Sequence, residues 1–355
     1  YFKIYGPQIR QDWLDKVNMK MPTTTDELYD VLVAFRDNDM NGNGDKTDEV
    51  PFAVGKGDGT LKGIAASFGT RMDMQNDPKN PGTIVYGPIT ENFKKFLTYM
   101  NKLYTEELIN SDFAVNEEAG SLITQNKAGF TISSMGSSLI ANHDNLKLMD
   151  ESYNYVSVPW LIGPDGYQWN ANPRSTVITT SCKNVEVALR WLDYAYTDEG
   201  SLLSTFGIEG KSFEMVNGYP TILDSVKQND KGWSEEQSIA RWMLGPINYP
   251  NARDYRFYEQ MNPNEQYKVD IQTNWNLATE DITLPPVIMT TEEAATYSSL
   301  MADIKTYMET SYQEFIIGEK SLDADWDAYV QTVKDMGIEQ AIACKQAAYD
   351  RYLQK

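Results

Sequence analysis

Apolar residues recur at helical spacing in several stretches, separated by short runs that read as strands. Behind Pro22-Thr-Thr-Thr-Asp-Glu27, Leu28, Val31, Leu32 and Phe35 line one face, and Thr24 with Glu27 forms a capping box in front of them, which predicts a helix. The same spacing runs through 91–108 (Phe93, Phe96, Leu97, Met100, Leu103) and 184–196 (Val185, Ala188, Leu189, Leu192, Tyr196), and Gly200 opens a turn into a short helix ending near Gly207. The last third is strongly periodic. Tyr297, Leu300, Met301, Ile304 and Met308 mark a helix over 292–311; Asp323 can cap a helix carrying Trp326, Val330 and Val333; Gly337 ends it, and 338–352 reads as a final amphipathic helix. Strands are predicted at 50–54, 128–133, 155–160 (closing on Pro159) and 175–180, with a turn at Gly163-Pro-Asp-Gly166. Alternating strand and helix signals with a helical tail predict an α/β chain, and 355 residues allow two domains.

Between the first helix and its following strand, Asp37-Asn-Asp-Met-Asn-Gly-Asn-Gly-Asp-Lys-Thr-Asp-Glu49 places carboxylates and carboxamides at alternate positions, with glycines where the backbone must turn. A hard cation taking six to eight oxygens suits this donor set, which predicts a calcium loop. Two registers compete. One starts at Asp37, with Asp39, Asn41, the Asn43 carbonyl, Asp45 and Asp48 following and Gly42 at the turn. The favoured one starts at Asp39, with Asn41, Asn43, the Asp45 carbonyl and the Asp48/Glu49 pair, and Gly44 at the turn. A solvated acidic turn is the plain alternative. Because a helix enters the loop and an extended segment with Pro51 leaves it, the ion is expected to act as a structural clip, not as a paired sensor. Zinc is disfavoured, since Cys182, Cys344 and His143 have no ligand spacing.

Composition narrows the partners. With 51 acidic against 31 basic residues the formal charge is −20, which argues against nucleic acid or an anionic membrane surface. No apolar run approaches the roughly 18 residues that span a bilayer. One disulfide could form between the two cysteines and none is required. A calcium site that is not a sensor suits an extracytoplasmic address.

Several segments carry a resemblance. Ile9-Arg-Gln-Asp-Trp-Leu-Asp-Lys16, Met21-Pro-Thr-Thr-Thr-Asp-Glu-Leu-Tyr29, Asn41-Gly-Asn-Gly44 with Asp48-Glu-Val-Pro51, Ala188-Leu-Arg-Trp-Leu-Asp-Tyr194 with Glu199-Gly200, Phe206-Gly-Ile-Glu-Gly210, Val216-Asn-Gly218 and Gln346-Ala-Ala-Tyr-Asp-Arg-Tyr352 look like the family 1 extracellular solute-binding proteins of Gram-positive ABC sugar importers. No single motif is specific; their order and spacing are. The resemblance implies a two-lobe, type II periplasmic-binding-protein-like α/β fold with a helical C-terminal part, closing on a solute and docking on an ABC permease. It implies an extracellular monomer held to the membrane by a lipid-modified cysteine expected to lie outside this chain. Family members usually carry the first strands of the N-terminal lobe before the segment resembling 9–16. The chain is therefore expected to have an incomplete N-terminal lobe, as a piece of a longer lipoprotein or a truncated form. On this reading 1–20 is a crossing segment, 21–175 mainly one lobe with the loop 37–49, 176–290 the remainder of the lobes with the hinge crossings, and 291–355 the C-terminal helices.

An oligosaccharide presents apolar CH faces and many hydroxyls, so its site combines aromatic rings with polar groups. Among 22 Tyr and 8 Trp, Trp160, Trp169 and Trp275 have Pro, Gly or Asn neighbours that place them outside regular elements, and they are the ring candidates. Asn170, Arg174, Met135 and Ser137 are the accompanying contacts, the last two from the run Ser133-Ser-Met-Gly-Ser-Ser138. Trp13, Trp191 and Trp326 are assigned to packing. The expected function is capture of an oligosaccharide or similar polar solute without turnover. A glycoside hydrolase using two carboxylates is the alternative. A nucleophilic triad would need His143, read as an idle histidine in a polar turn. A calcium-stabilised adhesion module would be all-β, against the helical C-terminus.

Overall fold

Strand β1 (Tyr5–Arg10) runs through the interior of a mixed sheet and is flanked by residues far away in the chain. The computed structural model describes residues 5–55, 59–115, 119–148, 150–167, 178–228, 238–243, 251–261, 265–276 and 282–354. The chain forms two units, Tyr1–Pro173 with Ile271–Lys355, and Arg174–Asp270. The C-terminal helices thus belong to the first unit instead of standing apart.

In the first unit the strands following β1 are β2 (Val50–Phe52), β3 (Met74–Asn76), β4 (Ile84–Tyr86), β5 (Ala128–Ser134) and β6 (Tyr155–Ser157). The sheet order is β2-β5-β1-β6, while β3 and β4 pair as a separate ribbon. β2 lies parallel to β5, with Phe52 opposite Phe130; β1 is antiparallel to β5, with Gln8 opposite Thr131, and antiparallel to β6, with Arg10 opposite Tyr155. β6 is shorter than the apolar run predicts. The Val158 N–H still donates to the Pro7 carbonyl at 2.9 Å, but Pro159 has no N–H with which to extend the ladder.

Helix Thr25–Asp37 starts on the expected capping box: Thr24 accepts from the Glu27 N–H, and Glu27 accepts from the Thr24 N–H. Its stripe of Leu28, Val31, Leu32 and Phe35 is buried, as is the stripe Phe93, Phe96, Leu97, Met100 and Leu103 of helix Glu91–Thr105. Each such side chain contributes about 1.5–3 kcal/mol of burial. Helix Thr291–Ile317 begins on a second capping box, Thr290 with Glu293, and ends at left-handed Gly318. Helix Trp326–Asp335 starts after Asp325, not after Asp323. Asp325 makes no side-chain cap, because its carboxylate accepts the Ser321 N–H instead. Gly337, with φ +94°, separates it from the last helix, Ile338–Leu353.

The second unit contains helices Val185–Tyr194 and Asp198–Thr205 and the hairpin β7 (Phe213–Val216) with β8 (Tyr219–Ile222), turned by Asn217-Gly218, both at positive φ as a primed turn requires. Phe206 packs against Phe213 and Phe257 at ring distances of 5.6 and 5.8 Å. Helix Val185–Tyr194 forms where periodicity predicts it, yet none of its residues is buried. Trp191, read as core, is 55% exposed. Residues 175–177 of the predicted strand lie outside the described residues, and 178–180 are not in a strand.

Candidate functional site

The loop after helix Thr25–Asp37 is built by its own side chains. Asp37, the last helical residue, is held by the Arg36 guanidinium at 2.8 Å and is committed there. Asp39 accepts the Gly42 N–H at 2.7 Å on one oxygen and the Gly44 N–H at 2.9 Å on the other. Gly42 and Gly44 stand at φ +77° and +89°, where a side chain would be strained. From there Asn41 Oδ1 accepts from the Asn43 N–H, Asn43 Oδ1 from the Asp45 N–H and Asp45 Oδ1 from the Thr47 N–H, one Asx turn repeated at alternate residues. The Thr47 hydroxyl and N–H hold the Asp45 carboxyl below the usual carboxylate range. Asp39, which meets backbone N–H groups of the loop itself, and Asp37, which is held by a guanidinium outside it, fit the register that begins at Asp39.

The closing acids behave differently from each other. Asp48 accepts both carboxamide N–H groups, from Asn41 and Asn43 at 3.0 Å each, and lies 3.3 Å from the Lys127 ammonium. Glu49 accepts the Met40 and Asn41 N–H groups on Oε1, at 2.7 and 3.1 Å, while its Oε2 is buried with no hydrogen-bond partner. A buried, unsatisfied carboxylate oxygen costs on the order of 1–3 kcal/mol, and a bound cation would relieve it. Among the described residues no three acidic, histidine or cysteine side chains converge as a preformed metal cage. The donor set fits calcium only as a mixture of carboxylate, carboxamide and carbonyl oxygens. Two cations were not anticipated from the sequence: Lys127, and Lys16, whose ammonium donates to the Asp39 carbonyl at 2.5 Å. Neither lies near the loop in sequence, so no local signal announces them.

Two of the proposed rings are core residues. Trp275 lies on helix Glu265–Asn276, not in a loop, and is 0% exposed. Its indole lies against Gly6, where any Cβ would stand 2.3 Å from the ring, and Nε1 donates to the Pro7 carbonyl at 3.2 Å. Trp160 is 1% exposed and belongs to the core of the first unit, beside Gly63 and Ile132. Flanking asparagines and prolines correctly mark element ends but say nothing about where a ring points. Trp169, Asn170 and Arg174 lie outside the described residues. Met135 is buried and opens a π-helical turn, Met135–Ile140, directly after β5; the Ser137 side chain lies outside what is described. Such turns recur at functional sites. Beside this one, Ser138 donates to the buried Gln8 carboxamide oxygen at 2.9 Å, and Gln8 donates to the Ser134 carbonyl at 2.9 Å. His143 is on helix Ala141–Lys147, half-buried, its Nδ1 accepting the Tyr155 N–H at 3.3 Å, so it is not in the polar turn expected. Cys182 and Cys344 are both free thiols.

Comparison with known proteins gives relatives along almost the whole chain. It is 26% identical over 373 residues to the fructooligosaccharide ABC transporter substrate-binding protein FusA of Streptococcus pneumoniae serotype 4 (strain ATCC BAA-334 / TIGR4), covering 97% of the chain and 65% of FusA. It is 28% identical to lipoprotein LipO of Bacillus subtilis (strain 168), covering 88% of the chain and 62% of LipO. Against the polygalacturonan/rhamnogalacturonan-binding protein YtcQ of the same strain it is 25% identical, covering 95% and 66%. The chain thus spans 62–66% of the length of these relatives. Among solved structures, the alginate-binding protein AlgQ2 without calcium ion superposes with a TM-score of 0.76 at 25% identity, over 98% of the chain and 72% of AlgQ2. FusA in complex with kestose gives 0.72 at 24% identity, over 99% of the chain and 73% of FusA. The fold is that of these type II periplasmic-binding-protein-like sugar binders. FusA and YtcQ are named as substrate-binding and polygalacturonan/rhamnogalacturonan-binding proteins, and not as glycoside hydrolases. Matched over residues 1–201 by the corresponding family model, the chain belongs to the bacterial extracellular solute-binding proteins.

Proposed function

We propose that this chain captures an oligosaccharide or similar polar solute outside the cell and delivers it to an ABC permease. The observation that carries the reading is similarity over 97% of the chain to FusA, a fructooligosaccharide-binding protein of an ABC transporter. The protein acts as a monomer tethered through a lipid-modified cysteine; among the described residues no helix is long and apolar enough to cross a membrane. The loop 37–49 binds one calcium ion through Asp39, Asn41, Asn43, the Asp45 carbonyl, Asp48 and Glu49, and the ion pins β2 to the helix before it. The Asp39 cradle and the buried, unpartnered Glu49 Oε2 support that assignment. The polar turn with Met135 and Ser137, together with Trp169, Asn170 and Arg174, supplies solute contacts.

The test is the melting temperature of the chain in calcium across a panel of oligosaccharides, with every mixture checked afterwards for cleavage. A solute present at about a hundred times its Kd adds about 2.7 kcal/mol to stability, so a true ligand is visible. A rise with the sugar intact supports capture. Cleaved sugar would return the chain to the enzymes.

A further inference from the structure

Helix Val185–Tyr194 shows to solvent the side that its periodicity assigns to a core. Val185, Ala188, Leu189, Leu192 and, just past its end, Tyr196 form one apolar stripe, yet Val185, Leu189 and Tyr196 are 49%, 54% and 56% exposed and no residue of the helix is buried. The other side already serves as a solvent face, where Arg190 pairs with Glu186 at 2.7 Å. The helix has ten residues, and isolated helices shorter than about 12–15 residues are marginal in water, so its stability must come from packing of the stripe. We propose that this stripe is an internal interface, covered by apolar strands from polypeptide of the same protein outside these 355 residues.

The rest of the second unit has the same deficit. Of the sixteen large apolar side chains that are exposed among the described residues, ten belong to this unit, the smaller of the two, and they include Ile208, Met215, Val216, Tyr219 and Val269. In the first unit, helix Thr25–Asp37 buries the same kind of stripe beside a four-stranded sheet, with Phe35 against Gly129 of β5. In the second unit the described strands make only the hairpin of β7 with β8, so among the described residues its helix has no sheet to cover. The relatives are long enough to supply one, since the match covers 62–66% of FusA, LipO and YtcQ and leaves about a third of their length outside it. A second copy of the chain is opposed by charge, because each partner would bring a formal −20 to the contact, and the same charge turns away an anionic membrane. The apolar face of a sheet meets a stripe of aliphatic side chains without that repulsion.

The experiment is hydrogen exchange read by mass spectrometry on the 355-residue chain and on the protein read from its complete gene, with Leu189→Lys made in both. The amides of 185–194 are expected to exchange at least about tenfold more slowly in the longer protein. Leu189→Lys should leave the melting temperature of the 355-residue chain unchanged and lower that of the longer protein, while Arg190→Ala, on the solvent side, should move neither. If Leu189→Lys keeps the longer protein from folding, the exchange of the two parent proteins decides. Equal exchange in both, or a complete gene that adds no polypeptide, overturns the proposal. Protection in the 355-residue chain that rises with its concentration and is lost in Leu189→Lys also overturns it, by giving the stripe to a second copy.

Discussion

At the scale of single residues, Trp275 shows how a side chain is placed by a partner remote in sequence. Its N–H reaches the Pro7 carbonyl 268 positions away, and its ring occupies the space left by the missing side chain of Gly6. Trp275→Ala should destabilise the first unit by about 3–5 kcal/mol, from lost burial and the cavity left behind. Trp275→Phe, which keeps a ring but drops the donor, should cost less, and urea unfolding followed by circular dichroism would rank the two. Equal midpoints for Trp275→Ala and the parent chain would mean the indole is not packed as described. Trp13 and Trp326 were legible as core because they sit among apolar residues at helical spacing. Trp160 and Trp275 were not, since the proline before one and the asparagines around the other read as loop, and their packing partners lie in other elements. Trp191 fails in the opposite direction: periodicity placed it inside, yet its helix leaves it largely exposed.

At the scale of elements, the loop 37–49 and the two capping boxes carry the sharpest expectations. Asp39→Ala combined with Asn41→Ala should abolish the rise in melting temperature that calcium produces in the parent chain. An unchanged rise would remove the loop from consideration as a structural metal site. Thr24→Ala should cost about 0.5–2 kcal/mol by removing the acceptor that holds the Glu27 N–H, measurable by denaturant titration. The second box adds a pH term. The Arg351 guanidinium, 2.8 Å from Glu293 Oε1, and the Thr290 N–H pull the Glu293 carboxyl from 4.5 down to about 2. A depressed carboxyl stabilises the fold above its ordinary value and loses that contribution as pH falls through about 2. Glu293→Gln should therefore flatten the acid limb of the stability profile between those two values, read by melting at stepped pH. The second box, Thr290 with Glu293, has the same local form, and the first box with the helix behind it was legible because each signal is contained within a few adjacent residues. Lys16 and Lys127, which complete the charge around the loop, were not.

At the scale of the whole molecule, a formal charge of −20 sets a background against which every contact acts. Like charges spread over one surface repel, so added monovalent salt should raise the melting temperature of the ligand-free chain until the repulsion is screened. A flat response would place most of the acidic groups in local pairs. Two-unit α/β architecture was readable from alternating elements, but the return of 271–355 to the first unit was not, because no local pattern records which sheet a late helix rejoins. The position of β1 has a temporal meaning as well. It is the earliest strand described and lies between two strands built from residues 128–134 and 155–157, and Gly6 is covered only when Trp275 arrives. A chain that emerges from its N-terminus, from a ribosome or through an export channel, must hold this strand unpaired for more than a hundred residues. For that interval the two edges that β5 and β6 later satisfy are open to any passing strand, a hazard the protein meets each time it is made.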